Sequence, residues 1–145
     1  MSKLVVNKKI KLNFEVMDTF EAGIQLVGHE VKSVKKKQGS LEGSHVIIRA
    51  GEAFLIGSNI PPYQAKNTPA SYDPYRNRKL LLNKKEIAIL AGNEKAKGLT
   101  IVPISLYTKG NTIKVEIAVV RGKKKYDKRQ DIKKRDIERE LQRKL

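Results

Sequence analysis

Residues 121–145 carry much charge and too little apolar surface to fold, which confines any core to the first 120 residues. The segment RGKKKYDKRQDIKKRDIERELQRKL holds 12 Lys and Arg against 5 Asp and Glu, a net +7 of the chain's +16. Its large apolar residues are Tyr126, Ile132, Ile137, Leu141 and Leu145. The last three recur at i, i+4 and i+8, but Ile132 falls on the opposite side of such a helix. A stripe that narrow does not offset the entropy of ordering the chain. Asp131 with Arg135, and Glu140 with Lys144, are acid-first i,i+4 pairs, which favour a helix weakly. The segment reads as a basic tail, disordered when free and helical against a polyanion.

A net charge of +16 on 145 residues exceeds what solubility requires. Clustered Lys and Arg gain free energy by releasing counterions from a phosphate backbone, so nucleic acid is the favoured partner. No apolar run approaches the roughly 20 residues needed to span a bilayer, and MSKLVVNKKIKLNF lacks the apolar centre of a secretory signal. The absence of cysteine removes disulfides, thiol catalysis and Cys-ligated zinc together. The expected location is the cytoplasm, and nothing in the sequence suggests a stable homo-oligomer.

Residues 1–120 read as one mainly β domain. Ile10, Leu12, Phe14 and Val16 alternate with Lys11, Asn13 and Glu15, the period of a half-buried strand. Residues 24–27, 46–49, 53–56, 100–107 and 112–120 are further β-rich runs, with turns at 50–52 and 109–111. Residues 30–37 predict a short helix stopped near Gly39. A second helix is better marked: Asn83 as N-cap, Glu86 completing a capping box, Leu82 and Ile87 as a hydrophobic staple, and Gly98 as a stop. Strands in meander order with one inserted helix predict a closed or nearly closed β-barrel of the OB type with flanking helices.

Between residues 57 and 79, Pro61, Pro62, Pro69 and Pro74 forbid long regular elements. Tyr63, Tyr72 and Tyr75 sit there among Arg76, Arg78 and Lys79. Two readings stand side by side: the rings stack on bases beside phosphate-binding cations, or they cover the open end of the barrel. His29 and His45 are the two imidazoles, neither at ligand spacing from a second candidate, and no phosphate loop is present. No cofactor or metal is expected. Barrel nucleases using carboxylates and an Arg exist, but the scattered Glu30, Glu42 and Glu52 form no such set. With few rings exposed, shape and backbone recognition of folded RNA fits better than stacking on single strands. A general RNA chaperone or ribosomal component would satisfy the charge and the barrel equally.

Four runs in one order and spacing narrow the choice: FEAGI at 20–24, GHEVKS at 28–33, RKLLLN at 78–83 and GKKKYDKR at 122–129. Together they resemble the small protein B (SmpB) family, the SsrA-binding proteins of bacterial ribosome rescue, from about Asn7 to the C-terminus. The resemblance implies an OB-type barrel that binds the tRNA-like domain of transfer-messenger RNA (tmRNA) and delivers it to the empty A site of a stalled 70S ribosome. It implies a tail lying in the vacant mRNA channel at the 16S rRNA decoding region, and an adaptor rather than an enzyme.

It places RNA contacts on Glu30, Leu81 and Asn83, flanked by Lys32, Arg78 and Lys79. It places ribosome contacts on Gly122, Lys123, Lys124, Tyr126, Asp127, Lys128 and Arg129. Among phosphates Glu30 reads either as an acceptor for base or ribose donors, or as the partner of Lys32 or Lys79. Asn83 has both a cap to make and a contact to offer. Leu81, the middle of three leucines, reads as core from sequence.

Overall fold

The computed structural model describes residues 2–122, a seven-stranded antiparallel sheet with three short helices. In chain order these are β1 (Ser2–Val6), α1 (Ile10–Asn13), β2 (Phe14–Ile24), α2 (Gly28–Lys35), β3 (His45–Arg49), β4 (Glu52–Ile56), β5 (Arg78–Leu81), α3 (Lys84–Lys95), β6 (Leu99–Lys109) and β7 (Thr112–Gly122). The strands lie in the order β1-β6-β7-β2-β5-β4-β3. None of the helices described is long and apolar enough to cross a membrane.

The sheet curls around one core. Val5 from edge strand β1 and Val46 and Ile48 from edge strand β3 share a buried cluster with Leu80, Leu90, Ile101, Val115 and Ile117. Yet no hydrogen-bonded ladder joins β1 to β3 among the described residues, so of the closed or nearly closed barrel expected, full closure is not found. Other groups occupy the seam. Glu94 of α3 accepts the Ile48 N–H at 2.6 Å and the Arg49 Nη1–H at 2.8 Å, taking a donor that a closing strand would need. Asn7 Nδ2 donates to Leu41 O and to Pro103 O, each at 3.2 Å, and so ties the chain after β1 to the segment before β3.

The long hairpins β3–β4 and β6–β7 form where turns were expected, and α3 starts on its predicted capping box. Asn83 Oδ1 accepts the Glu86 N–H at 2.8 Å, and Glu86 Oε1 accepts the Asn83 N–H at 3.2 Å. Leu82 and Ile87, on either side of that cap, both pack on the core.

Three expectations fail locally. Residues 10–13 form a helical turn instead of a strand, because Ile10 and Phe14 are also an i,i+4 pair. Both reach a second apolar cluster with Val102, Ala118 and Val120. In the 24–27 run only Ile24 is in a strand, and Val27 already opens α2. Finally, β7 runs to Gly122, which pairs with Phe14, so the folded unit extends two residues past the expected boundary at 120. The tail residues Lys123, Lys124, Tyr126, Asp127, Lys128 and Arg129 lie outside the described residues.

Candidate nucleic-acid interface

The expected RNA-facing residues fall on α2, on β5 and at the cap of α3, and the proline-rich loop leads from β4 into β5. At the centre, Glu30 is fully buried at the third position of α2. Its Oε1 accepts the Val27 N–H at 2.9 Å, the reach-back half of a capping box. The remaining lone pairs are filled by side chains far away in sequence. Arg78 Nη2 and Nε donate to Oε2 at 2.7 and 3.0 Å. Arg76 Nε donates to the same oxygen at 2.9 Å, while its Nη2 donates to Oε1. The Tyr72 hydroxyl lies 2.9 Å from Oε2 and 2.7 Å from Ile60 O, sharing one proton between two acceptors.

A buried carboxylate is costly unless it is paired and hydrogen-bonded. Burial alone pushes Glu30 up; the bonds from Arg76, the Val27 N–H and Arg78 outweigh it and hold the group down at about 2. Burial, reinforced by the neighbouring Glu30 carboxylate, raises the Tyr72 phenol to about 12, so it remains a donor. His29 stands edge-on to the Tyr72 ring, with centroids 4.4 Å apart and planes at 88°.

Arg78 explains how the proline-rich loop is ordered. The Arg78 guanidinium reaches three carbonyls of this segment. Nη1 donates to Ser58 O at 3.0 Å and Arg76 O at 3.1 Å, and Nη2 to Pro74 O at 3.0 Å. Ser33 Oγ satisfies Pro61 O at 2.8 Å.

Several expectations are corrected by this geometry. Glu30 is fully buried with both oxygens taken by protein donors, so no lone pair is turned to solvent. Its ionic partners are Arg76 and Arg78 and not Lys32 or Lys79. Arg78 is wholly inside, with its donors spent on protein acceptors, and drops out of the RNA-facing set. Tyr72 is half-buried and braces the cluster through its hydroxyl.

The other positions lie at the surface. Leu81 is 51% exposed, because Leu80 takes the inward position of β5 and its neighbour therefore turns outward. Asn83 is exposed with its oxygen in the cap, and its amide nitrogen meets no acceptor among the described residues. Lys32 is exposed on the outer face of α2, and Lys79 is half-exposed beside Glu52 at 3.1 Å. Sequence reasoning placed Arg76 among the loop cations but missed its role. It is the one cluster member that reaches the surface with charge, its side chain 32% exposed. The partner stands 46 residues away in sequence, so no local pattern announces the pair.

One carboxylate against two guanidiniums leaves a positive excess, and that charge reaches the surface through Arg76. An outward-facing cation on a small, strongly basic β-sheet domain is the mark of a polyanion-binding protein. A family profile described as SmpB protein matches residues 4–145. The chain is 49% identical over 141 residues to an SsrA-binding protein of Mesoplasma florum, covering 97% of this chain and 95% of that one. It is 50% identical over 139 residues to the SsrA-binding protein of Oleidesulfovibrio alaskensis, covering 96% and 89%. Among solved structures it resembles a chain of "tmRNA-SmpB: a journey to the center of the bacterial ribosome", with 40% identity, a TM-score of 0.70 and coverage of 83% and 84%. The chain belongs to the SmpB family.

Proposed function

We propose that this protein binds the tRNA-like domain of tmRNA and carries it to the empty A site of stalled ribosomes, as the RNA-binding adaptor of trans-translation. The observation that carries this reading is the family match over residues 4–145, which includes both the folded domain and the basic tail. In this reading the open sheet is an OB-type scaffold, the protein works in the cytoplasm, and peptidyl transfer is left to the ribosome, so the chain is not an enzyme.

Arg76, Lys32 and Lys79 supply phosphate contacts. Leu81 gives an apolar contact and the Asn83 amide a donor. Glu30 acts through Arg76, which it holds at the surface by two charge-assisted hydrogen bonds. The residues after β7, 123–145, form the ribosome-binding tail, helical in a vacant mRNA channel walled by rRNA, with Gly122 at its root. Gly122, Lys123, Lys124, Tyr126, Asp127, Lys128 and Arg129 make the contacts there. An intact message would occupy the tail's path, which makes the channel itself the test for a stalled ribosome.

The deciding experiment is binding to the tRNA-like fragment of tmRNA at near-physiological salt, with bulk tRNA as competitor. Survival of the complex under excess tRNA is expected. Displacement in proportion to competitor would mean that charge alone does the binding, and a general RNA-binding protein would then be the better description. For the tail, a chain ending at Gly122 is the right truncation, since ending at Val120 removes two paired residues of β7. It should keep fragment binding and lose peptide tagging.

A further inference from the structure

Gly23, inside the FEAGI run, has no part in the interface as described so far. It lies on β2 opposite Leu81 of β5 on one side and opposite Lys114 of β7 on the other. A Cβ atom at this position would stand 3.1 Å from Leu81 Cβ, 3.4 Å from Cδ1 and 3.6 Å from Cγ. Directly opposed residues of antiparallel strands normally keep their Cβ atoms about 4.5–5.5 Å apart. Position 23 therefore has no room for a methyl group unless Leu81 moves. The backbone does not demand glycine here, since the φ of Gly23 lies outside the left-handed range. The demand comes from the leucine.

Leu81 leans over the bare backbone of Gly23, which is buried, while Leu81 itself keeps 51% of its surface open. An exposed leucine on an ordinary strand surface samples several rotamers, and binding must then freeze it. Here the side chain rests in a notch that a glycine provides. A group ordered before association gives up less entropy when the partner arrives.

We propose that Gly23 is a positioning residue for RNA binding, setting the direction in which Leu81 is presented. The proposal rests on the reading that Leu81 belongs to the tmRNA surface. A methyl group at position 23 obliges Leu81 to give by a few tenths of an ångström and so shifts the direction of its side chain, while the neighbouring cations remain in place.

The test is a double-mutant cycle in the full-length chain, read as affinity for the labelled tRNA-like fragment of tmRNA, with thermal unfolding recorded for every variant. Leu81→Ala is expected to weaken binding about tenfold, the loss of one good apolar contact. Gly23→Ala should weaken it several-fold. The double variant should bind no worse than Leu81→Ala alone: the contact with Cβ persists, but no Cγ or Cδ atom remains to be misdirected. Wild-type affinity for Leu81→Ala would remove Leu81 from the RNA surface, and with it the proposed role of Gly23. Weakening by Leu81→Ala with no effect of Gly23→Ala, or with the two effects multiplying in the double variant, would overturn the role of Gly23 while leaving the surface intact. If Gly23→Ala does not fold, the Leu81 methyl resonances of the free wild-type protein decide: one fixed rotamer is expected, and rotamer averaging overturns the proposal.

Discussion

Arg78 and Glu30 form an ion pair that solvent does not reach, with Nη2 2.7 Å from Oε2 and neither side chain exposed. The pair joins α2 to β5 and, through the other donors of the guanidinium, fixes the proline-rich loop between them. Its effect on stability is therefore lopsided. Making the pair gains little against the desolvation of two charges, but removing one partner strands the other inside. Arg78→Met is expected to cost about 3–5 kcal/mol, measured by urea unfolding. Arg78→Lys should recover only part of that, since an ammonium cannot reproduce the planar fork. A loss under 1 kcal/mol for Arg78→Met would show that the cluster rearranges easily.

The same cluster sets an acid limit. Glu30 is held at about 2 in the fold against an ordinary value of 4.5. A depressed carboxylate contributes stability that is fully present above the unfolded value and fades as pH falls towards the folded one. The window is therefore roughly pH 4.5 down to pH 2. The difference corresponds to a loss on the order of 3 kcal/mol across it. Urea midpoints followed from pH 6 to pH 2 should fall steeply in the wild type. In Glu30→Gln, weaker from the outset, that part of the decline should be missing. Parallel curves would assign the acid sensitivity to other carboxylates.

How much of this was legible beforehand differs by element. The α3 cap could be read because Asn83 and Glu86 are three residues apart and the physics is local. The β3–β4 and β6–β7 hairpins announced themselves by turn residues between apolar runs. Residues 10–16 satisfied the strand period and the helix period together, and only the second apolar cluster under α1 decides between them. The Glu30 cluster was hidden for a different reason. Its members are 42, 46 and 48 residues apart from Glu30, and Tyr72 and Arg76 stand in a stretch readable only as loop. Leu81 was misread because three consecutive leucines look like core, although a strand must turn every second one outward.

Arg76 separates binding from folding. Its side chain is 32% exposed, and its removal leaves Glu30 still paired with Arg78. Arg76→Ala should cost about 2 kcal/mol of stability, the order of a hydrogen bond to a charged group. It should also lower the salt dependence of RNA binding by about one phosphate contact. The slope of log affinity against log salt, compared with wild type, measures this. An unchanged slope would place Arg76 away from the phosphate backbone.

The open seam makes Glu94 a guard of the β3 edge. Its carboxylate takes the Ile48 N–H and anchors Arg49. Glu94→Ala should lose about 1–2 kcal/mol and leave an unprotected edge strand, which invites pairing with other chains. Light scattering during thermal unfolding should reveal earlier aggregation than in a variant of equal stability altered elsewhere. Equal aggregation in the two would mean that α3 shields the edge by bulk alone.

The turn between β3 and β4 carries a strain that can be relieved. Ala50 and Gly51 have φ of 53° and 74°, so both central residues of a two-residue hairpin sit in the left-handed region. Such a turn matches the twist of the strands it joins and prefers Asn-Gly or Gly-Gly, because a Cβ at the first position crowds the following carbonyl. Asn tolerates that conformation through local hydrogen bonding, whereas Ala has no such compensation. Ala50→Asn is therefore expected to stabilise the protein by about 0.5–1 kcal/mol. The native register, Arg49 opposite Glu52, should be kept. The gain should appear as a higher urea midpoint at constant slope, since the area exposed on unfolding is unchanged. Ala50→Val supplies the opposite sign, because a β-branched residue resists positive φ more strongly than Ala does. A stabilising valine would mean that the turn leaves the left-handed region in solution.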